Sequence, residues 1–490
     1  MNEPLLAALA EAIPRPRSAL PPLPPQAWPR RDSRQVQPGD IFVAQAEGPE
    51  RAAHIAEALA RGASLVLAED RGDLPPDPRV QPTPAARWAF ARLSCAAHRL
   101  PRATPLLAVT GTKGKSSVVH WTWAALGPGA ARVGTLGWHD GQSERPNPQT
   151  TPPPEALHAF LAALPESCPG VVIEASSHGL HQHRLAGLRC AAVAVTGIGR
   201  DHLDYHGSFA AYVEAKLRIV ELLAAGGRCV LNGDDALAPR FAERALARGA
   251  QPLLLATAPP PWAAGLPLAL LQRLPDGQWQ LASASGRWPL QPPLFGERNA
   301  WNAAAALLLA ETLGVPPPLA SARIAAAPPL PGRLERLAER PATFVDYAHT
   351  PESLAFALSA LREAFPGRKL VVVFGCGGER DPGKRPLMGR AAAAADAIII
   401  TDDNPRREDP RAIAAAILEG VRAAGAVAEV IHERGSAICE ARRRAGADGV
   451  VLVAGKGHET QQIIGDRALP WDDRAFVRAL GSAEGRADGG

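Results

Sequence analysis

The sequence predicts an α/β protein of three domains, and two observations lead to that prediction. Short apolar runs that end in glycine or polar residues alternate with alanine-rich stretches of helical character, the pattern of parallel sheets covered by helices. The chain has 490 residues, enough for about three domains. We expect a small N-terminal α/β domain over 1–100, a central domain with a parallel sheet over 101–331, and a C-terminal domain over 332–490.

Composition narrows the classes of protein that fit. Hydrophobic residues make up 46% and charged residues 21% of the chain, as in typical globular proteins. The net charge of +4 is spread over interleaved basic and acidic residues, so we expect no nucleic-acid partner. No apolar run reaches the ~20 residues of a membrane span, and the first residues lack the basic segment of a secretory signal. We therefore expect a cytoplasmic protein without a membrane partner.

The cysteines point to neither a disulfide framework nor a zinc site. Six are scattered along the chain, and no two form a CxxC pair. Reduced, buried thiols are the usual state of such residues inside cells. The two histidines of "HQH" at 181–183 are also too few for a metal site by themselves.

The N-terminal domain is predicted from a strand, a helix and a second strand. The strand-like "IFVA" follows a turn at Pro38-Gly39-Asp40. The stretch "AAHIAEALARGASLVLAED" then contains a helical segment, a glycine and another apolar run. Glycine after a helical pattern marks the end of a helix.

The central and C-terminal domains each contain four predicted buried strands. The central ones are "LLAVT", "VVIEAS", "AAVAVTGIG" and "RCVLNGDD"; the C-terminal ones lie in "ATFVDYAHTP", "LVVVFGCGG", "AIIITDDNP" and "GVVLVAGKGHE". Residues 251–295 are less regular and could form an antiparallel edge, and "NAWNAAAALLLAETLG" predicts a helix that ends at Gly314. Because ligands bind at the carboxyl ends of parallel strands, the polar residues after each strand are candidate site residues. We expect the C-terminal domain to be Rossmann-like.

The stretch "LAVTGTKGKSSVVHW" predicts a P-loop-type mononucleotide-binding site in the central domain. A strand, a tight loop and a helix follow one another, so backbone N–H groups and the helix N-terminus can face phosphates. Gly111 and Gly114 permit close backbone approach, Lys115 supplies a positive charge, and the Ser116 hydroxyl can bind Mg²⁺. Val109 stands where the usual pattern has its first glycine. The predicted ATP-binding loop comprises Gly111, Thr112, Lys113, Gly114, Lys115, Ser116 and Ser117.

The shortened loop T-G-T-x-G-K-[ST] resembles that of the Mur ligase superfamily, the ATP-dependent amide ligases of peptidoglycan and folate metabolism. The resemblance implies that a carboxylate reacts with ATP to give an acyl phosphate, from which an amine displaces phosphate. It also implies Mg²⁺ bound by Glu174 in "VVIEASSHG" and His202 in "GRDHLDYHG", together with Ser116. Lys216 in "YVEAKLRIV" matches the lysine that these ligases carry as an N-carbamate, which bridges a second Mg²⁺. Lys115, Glu174, His202 and Lys216 are therefore the predicted catalytic residues.

Further ATP contacts are implied by the same resemblance. The stretch "ERNAWNAAAA" is similar to the family's adenine-side pair of asparagines, Asn299 and Asn302. Arg333 in "LPGRLE" and Asp346 in "VDYAHTP" correspond to residues near the nucleotide, with the aspartate by the ribose and His349 close by in the sequence.

The motifs expected to bind the acceptor substrate resemble those of ligases acting on UDP-N-acetylmuramoyl-L-alanyl-D-glutamate. "DSRQVQPGDIFVA", "QTTPPPEALHAFL" and "EASSHGLHQHRL" carry the resemblance. The implied contacts are Ser33, Thr150, Thr151, Ser176, Gln182 and Arg184. The chain departs from the family at Gln149, where asparagine is usual, at Lys113 in the loop, and in the stretch "QAEGPERAAH" after Ala44.

The C-terminal motifs indicate which amine is added. Diaminopimelate has a second amino-acid head group, whose zwitterion requires a cationic fork beside a carboxylate. The stretches "GGER", "TDDNPRR" and "GKGHE" supply these groups. The predicted residues are Arg380, Asp403, Asn404, Pro405, Arg406, Gly455 and Glu459. The resemblance implies an enzyme, expected to be a monomer, that adds meso-2,6-diaminopimelate to the nucleotide-linked dipeptide in peptidoglycan synthesis.

Two alternatives remain at this point. A ligase of the same fold could use lysine or a folylpolyglutamate-type acceptor, although a bare lysine ammonium would gain nothing from Arg406. A non-catalytic scaffold that binds nucleotide or cell-wall partners would be expected to lack Lys115, Glu174 or His202, and all three are present.

Overall fold

The computed structural model describes residues 3–13, 23–98, 104–147 and 149–487. The chain divides into two compact units, Met1–Gln291 with Trp301–Ala327, and Pro292–Ala300 with Pro328–Gly490. The predicted boundary at residues 100 and 101 lies outside the described residues. The three predicted domain ranges therefore stay predictions.

The N-terminal segment of the first unit is a four-stranded parallel sheet with helices on both faces. Its elements are α1 (Glu3–Ala12), β1 (Pro29–Arg30), β2 (Ile41–Val43), α2 (Pro49–Ala60), β3 (Leu65–Ala68), β4 (Val80–Pro82) and α3 (Ala86–His98). The strand order is β1-β2-β3-β4. Neighbouring residues of a strand face opposite sides of the sheet, so Ile41 packs with Leu9 and Phe90 while Phe42 packs with Ile55.

The rest of the first unit is built around an eleven-stranded sheet. Its strands are β5 (Leu106–Thr110), β6 (Ala131–Gly134), β7 (Gly137–His139), β8 (Glu144–Arg145), β9 (Val171–Glu174), β10 (Cys190–Val195), β11 (Leu223–Asn232), β12 (Gln251–Ala256), β13 (Leu268–Arg273), β14 (Trp279–Ser283) and β15 (Gly286–Leu290). Its helices are α4 (Lys115–Leu126), α5 (Pro154–Ala162), α6 (Ser177–His181), α7 (Leu203–His206), α8 (Phe209–Leu217), α9 (Ala238–Ala247), the part of α10 (Glu297–Thr312) from Trp301 onward, and α11 (Pro317–Ala325).

The register of the central strands places the predicted site at their carboxyl ends. The strand order is β15-β14-β13-β12-β11-β10-β5-β9-β6-β7-β8, and β5 is parallel to both of its neighbours. Val109 pairs with Glu174, and Thr110 pairs with Val195. The carboxyl ends of β5, β9 and β10 therefore lie side by side, directly before the predicted phosphate loop and the predicted metal ligand Glu174.

The antiparallel edge predicted for residues 251–295 is confirmed in part. β14 is antiparallel to both β13 and β15, but β12 and β13 continue the parallel order from β11. A second antiparallel edge, β6-β7-β8, was not predicted. Its strands have two to four residues, and β8 is exposed, so they lack the apolar run that reveals a buried strand.

The second unit contains a six-stranded sheet, ordered β16-β17-β21-β18-β19-β20, and a separate hairpin, β22-β23. The strands are β16 (Glu335–Glu339), β17 (Ala342–Asp346), β18 (Leu370–Phe374), β19 (Ala397–Ile400), β20 (Ala428–Val430), β21 (Val450–Ala454), β22 (Gln461–Ile464) and β23 (Arg467–Pro470). The helices are α12 (Pro351–Ala364), α13 (Lys384–Ala392), α14 (Pro410–Ala423), α15 (Arg434–Ala445) and α16 (Asp473–Ala487). The four predicted strands form the parallel centre, with β16 antiparallel at one edge.

These sheets confirm the predicted α/β fold class. In the described part of the chain, no helix combines the length and the apolar character needed to cross a membrane.

Candidate active site

The phosphate loop connects the central strand β5 to helix α4. Gly111 has φ 150° and Gly114 has φ 85°, and a Cβ atom on Gly111 would lie 1.9 Å from Thr196 Oγ1. A Cβ atom on Gly114 would lie 2.6 Å from Asn302 Oδ1. Both positions therefore require glycine for space as well as for backbone conformation. The loop is held further by the Thr112 N–H, which donates to the Gly197 carbonyl at 2.8 Å.

Ser116 and Glu174, two of the predicted metal ligands, are in contact. The Ser116 hydroxyl lies 3.1 and 3.2 Å from the two carboxylate oxygens of Glu174. The Thr135 N–H also donates to Glu174 Oε2 at 2.9 Å. Glu174 is 2% exposed and Ser116 8% exposed. A hydroxyl beside a buried carboxylate supplies the hard oxygen atoms that Mg²⁺ prefers, and Mg²⁺ sites commonly complete their coordination with water and phosphate.

Lys216 is buried beside the phosphate loop. Its Nζ donates to the Gly111 carbonyl at 2.7 Å and lies 3.4 Å from Thr110 Oγ1. Lys115 Nζ donates to the same Gly111 carbonyl at 3.1 Å, so the two lysines share one acceptor. Burial lowers the pKa of Lys216 well below its usual value, and the charge of Lys115 lowers it further. Asp201 and Glu174 oppose this shift of the Lys216 pKa but do not reverse it.

His202 lies at the start of α7 with a left-handed backbone, φ 50°. Its ring centroid is 4.9 Å from that of His178, which lies 4.0 Å from the ring of Tyr205. Burial lowers the pKa of His202, Asp201 raises it, and Lys115 and Lys216 lower it again. The charges of Lys115 and Lys216 beside the phosphate loop therefore affect the pKa of His202. Over the described ranges, no three His, Cys, Asp or Glu side chains surround a possible metal position.

Five of the six residues predicted to bind the nucleotide-linked dipeptide, all except Ser33, form a connected network next to Glu174. The Thr151 hydroxyl donates to the Glu174 carbonyl at 2.7 Å and lies 3.0 Å from Ser176 Oγ. The Thr150 hydroxyl lies 2.9 Å from that of Thr135, the residue whose N–H contacts Glu174. Thr151 therefore bonds directly to the backbone of Glu174, and Thr150 is linked to Glu174 through Thr135.

Arg184 lies in the same network and is held by two glutamine side chains. Its Nε and Nη2 donate to Gln182 Oε1 at 3.0 and 2.6 Å, and its Nη1 donates to Gln149 Oε1 at 2.8 Å. Gln149, which departs from the family pattern, therefore orients a predicted substrate contact. Tyr205 was not predicted, and its hydroxyl accepts a bond from Gln182 Nε2 at 2.9 Å.

Ser33 and the predicted adenine-side asparagines, Asn299 and Asn302, lie outside the network of Thr151 and Arg184. The Ser33 hydroxyl is buried and donates to Glu57 Oε2 at 2.6 Å. The buried Asn302 lies against Gly114 of the phosphate loop. Asn299 Nδ2 donates to the Phe295 carbonyl at 2.7 Å.

In the second unit, Arg333 and Asp346 lie close together in structure. Asp346 Oδ2 accepts a hydrogen bond from the Leu334 N–H at 2.7 Å, and the Arg333 guanidinium lies 4.6 Å from the ring centroid of Tyr347. His349 Nδ1 is 2.8 Å from the Tyr347 carbonyl. Asp346 thus fixes the backbone next to Arg333.

The predicted diaminopimelate residues converge where β19 and β21 end. Asn404 Nδ2 donates to Glu459 Oε2 at 3.0 Å. Arg406 has φ 53° and donates from Nη1 to the Gly378 carbonyl at 2.7 Å. A Cβ atom on Gly377 would lie 3.1 Å from Arg406 Nη1 and 3.6 Å from Arg380 Cγ, so both arginines border the same glycine.

Asp403, Pro405 and Gly455 complete this cluster. A Cβ atom on Gly455 would lie 2.4 Å from Asp403 Oδ2, so the carboxylate sits directly on the glycine backbone. Burial raises the pKa of Asp403, and Arg434 and Lys456 lower it. The Pro405 carbonyl accepts from the Glu408 N–H at 3.2 Å.

Two groups of residues behind the cluster were not predicted. Lys456 is fully buried, and its Nζ lies 2.9 Å from Asn404 Oδ1. Arg434 forms a buried bidentate pair with Asp473, with both N–O distances 2.7 Å. The sequence gives no distinctive signal for Arg434 or Asp473, whereas Lys456 lies inside "GKGHE", a stretch already singled out.

A glycine loop between a central parallel strand and a helix that begins with lysine and serine is the architecture of P-loop-type nucleotide-binding proteins. Two domain families match the sequence: the Mur ligase middle domain over residues 109–310, and the Mur ligase, glutamate ligase domain over residues 332–457. The chain belongs to the Mur ligase family.

Relatives with similarity over most of the chain carry one name. The UDP-N-acetylmuramoyl-L-alanyl-D-glutamate–2,6-diaminopimelate ligase of Alkalilimnicola ehrlichii is 43% identical over 475 residues, which cover 93% of this chain and 94% of the relative. The ligase of the same name from Pseudomonas aeruginosa is 40% identical over 474 residues, with 92% and 94% covered. A solved structure of a ligase with that name has a TM-score of 0.68 at 31% identity and covers 94% of this chain and 95% of its own.

Proposed function

We propose that this protein is an ATP-dependent ligase that joins meso-2,6-diaminopimelate to UDP-N-acetylmuramoyl-L-alanyl-D-glutamate. The observation that carries the proposal is the combination, in one chain, of the Ser116–Glu174 pair beside a phosphate loop with the Asn404–Arg406–Glu459 cluster. The relatives that are about 40% identical over nearly their full length bear the name of this activity. The reaction belongs to peptidoglycan synthesis in the cytoplasm, and we expect the active form to be a monomer.

The phosphate loop binds and orients ATP in this proposal. Backbone N–H groups at the start of α4 face the phosphates, and Lys115 balances the charge on the transferring phosphoryl group. Lys115 Nζ already points to the loop, since it bonds the carbonyls of Gly111 and Thr112. Ser116 and Glu174 would hold Mg²⁺, which lets the ATP phosphates and the substrate carboxylate approach each other.

Lys216 would act as an N-carbamate. The amine must be neutral to react with carbon dioxide, and burial together with Lys115 lowers the pKa of Lys216. The carbamate that forms, with release of a proton, is an anion that replaces the buried amine next to the phosphate loop. The carbamate oxygen atoms and His202 would bind the second magnesium ion.

Arg184 would bind a carboxylate of the dipeptide. A guanidinium can bind carboxylates in a bidentate manner, and the bonds to Gln149 and Gln182 restrict its orientation. Thr150, Thr151 and Ser176 supply neutral donors along the same substrate, and Ser33 would contact the uridine.

The cluster at the ends of β19 and β21 would bind the head group of diaminopimelate that does not react. Arg406 and Arg380 provide cationic groups for its carboxylate, while Glu459 and Asp403 provide acceptors for its ammonium. A lysine side chain has no carboxylate at this position, so the arginines favour diaminopimelate.

Replacement of Lys115 tests the proposed chemistry. With both substrates present, the Lys115→Ala protein should form ADP about 100-fold more slowly than the wild type, because the positive charge that stabilises the transferring phosphoryl group is lost. ADP formation can be measured by chromatography, with Lys369→Met as a control for an exposed lysine. Wild-type rates in Lys115→Ala would overturn the assignment.

A further inference from the structure

We infer that Lys456 is a positioning residue that orients Asn404 and Glu459 toward the bound amino acid and so determines affinity for it. The inference rests on the proposed function, because it assigns Asn404 and Glu459 to the diaminopimelate site. It concerns a side chain that acts through its neighbours, since Lys456 is 0% exposed.

The Lys456 ammonium is surrounded by three acceptors, one from the segment after β19 and two from the segment that leads into β22. Its Nζ lies 2.9 Å from Asn404 Oδ1, 2.8 Å from the Gln461 carbonyl and 3.3 Å from Glu459 Oε2. An ammonium has three protons to donate, and these contacts account for all of them. A buried lysine that is fully bonded holds its partners in one arrangement.

This arrangement decides which way the Asn404 amide faces. Asn404 Oδ1 accepts from both Lys456 Nζ and the Ile463 N–H, which is 2.9 Å away. A rotated amide would place its NH₂ against these two donors, which is unfavourable. The Asn404 NH₂ therefore points to Glu459 Oε2, at 3.0 Å.

The same contacts orient the Glu459 carboxylate. Oε2 receives hydrogen bonds from Asn404 and Lys456, while the side chain is still 34% exposed. Oε2 therefore faces the buried lysine, and the remainder of the carboxylate is turned toward solvent, where a ligand ammonium can reach it. Without Lys456, Asn404 Oδ1 would keep only the Ile463 N–H and Glu459 Oε2 only the Asn404 NH₂, so both side chains would be held less firmly.

Enzyme kinetics on Lys456→Met, which keeps the side-chain length and removes the charge, test this inference. We expect the KM for meso-diaminopimelate to rise about 10- to 100-fold, as for the loss of a charge-assisted hydrogen bond. The kcat and the KM values for ATP and the nucleotide-linked dipeptide should change by less than about threefold. Lys369→Met, the same change at an exposed lysine of this unit, should match the wild type.

A double-mutant cycle separates positioning from a general structural role. In a Glu459→Gln background, Lys456→Met should raise the KM for meso-diaminopimelate by less than about threefold, because the oriented group is already lost. Independent, multiplicative effects on KM would overturn the inference. Lys456→Gln, which is neutral but keeps a donor, replaces Lys456→Met if that protein does not fold.

Failure of this inference differs from failure of the proposed function. If the wild type releases phosphate with meso-diaminopimelate and the KM is unchanged in folded Lys456→Met, only the positioning role is wrong. If neither Lys456 variant folds, the lysine is structural and the inference is also overturned. If the wild type shows no turnover with meso-diaminopimelate, the proposed function and the inference fall together.

Discussion

At the scale of single residues, the resemblance to the Mur ligases carried most of the prediction, and the position of a side chain after a buried strand supported it. Glu174 could be selected because it ends an apolar run, and Ser116 because it follows Gly-Lys at a helix start; the structure places these two in contact. Lys456 could not be selected in the same way, because a lysine buried by distant segments looks like a solvated one in sequence. Tyr205 was missed for another reason: it is exposed, and its bond to Gln182, the residue after α6, depends on how two separate segments meet.

Lys216→Arg distinguishes a carbamate from a simple cation at this position. Arginine keeps a positive charge but does not form the carbamate, so phosphate release should fall about 100-fold or more. The measurement is the rate of phosphate release at saturating substrates. Retention of more than about half of the wild-type rate would contradict a carbamate role. Circular dichroism and the melting temperature check that the protein remains folded.

At the scale of elements, sequence patterns located strands well when they were buried and poorly when they lay at an edge. The four predicted strands of each large sheet contain runs of apolar, buried residues, as expected of parallel strands covered on both faces. The missed strands β16, β20, β22 and β23 are partly or fully exposed. Edge strands pair through backbone hydrogen bonds, which do not require apolar side chains. A hydrophobic pattern in the sequence therefore does not reveal them.

The Arg434–Asp473 pair joins the ends of β19 and β21 from inside the second unit. Arg434 donates to the Asp402 carbonyl at 3.2 Å and to the Ala454 carbonyl at 3.1 Å, while both charged groups are almost completely buried. Asp473→Asn leaves the guanidinium without its carboxylate, so we expect a loss of about 3–5 kcal/mol in the free energy of unfolding.

Denaturant unfolding of Asp473→Asn measures that loss. The matched control is Asp466→Asn, because Asp466 pairs with Arg407 on the surface, where their side chains are 75% and 68% exposed. The control should change stability by less than about 1 kcal/mol. Equal, small effects in both variants would show that the buried pair does not hold the strand ends together.

At the scale of the whole molecule, the sequence predicted the α/β class and the family. Burial in the assembled chain controls a property that could not be predicted: the protonation of His158 on α5. This residue is 0% exposed, and neither ring nitrogen has a hydrogen-bond partner among the described residues. Burial and, to a smaller extent, the neighbouring His98 together lower the pKa of His158 to about 3. In sequence, His158 in "PEALHAFLA" is an ordinary helical residue.

The His158 shift predicts how the stability of the first unit depends on pH. A histidine whose pKa is depressed by folding stabilises the folded state above its unfolded pKa of about 6.5, and that stability is lost as pH falls toward 3. Between pH 7 and pH 5 the loss should be about 2 kcal/mol. His158→Leu should remove this part of the acid sensitivity in denaturant unfolding at both pH values. An unchanged difference between the two pH values would show that His158 does not cause it.

In the proposed function, one chain uses ATP to join diaminopimelate to a nucleotide-linked dipeptide. The most direct measurement is phosphate release with UDP-N-acetylmuramoyl-L-alanyl-D-glutamate, ATP and Mg²⁺, comparing meso-diaminopimelate, L-lysine and no amine. Release should be rapid with meso-diaminopimelate, roughly 100-fold less efficient with L-lysine because Arg406 and Arg380 then lack a carboxylate partner, and near background without amine. Preference for L-lysine, or release that is independent of the amine, would contradict the account.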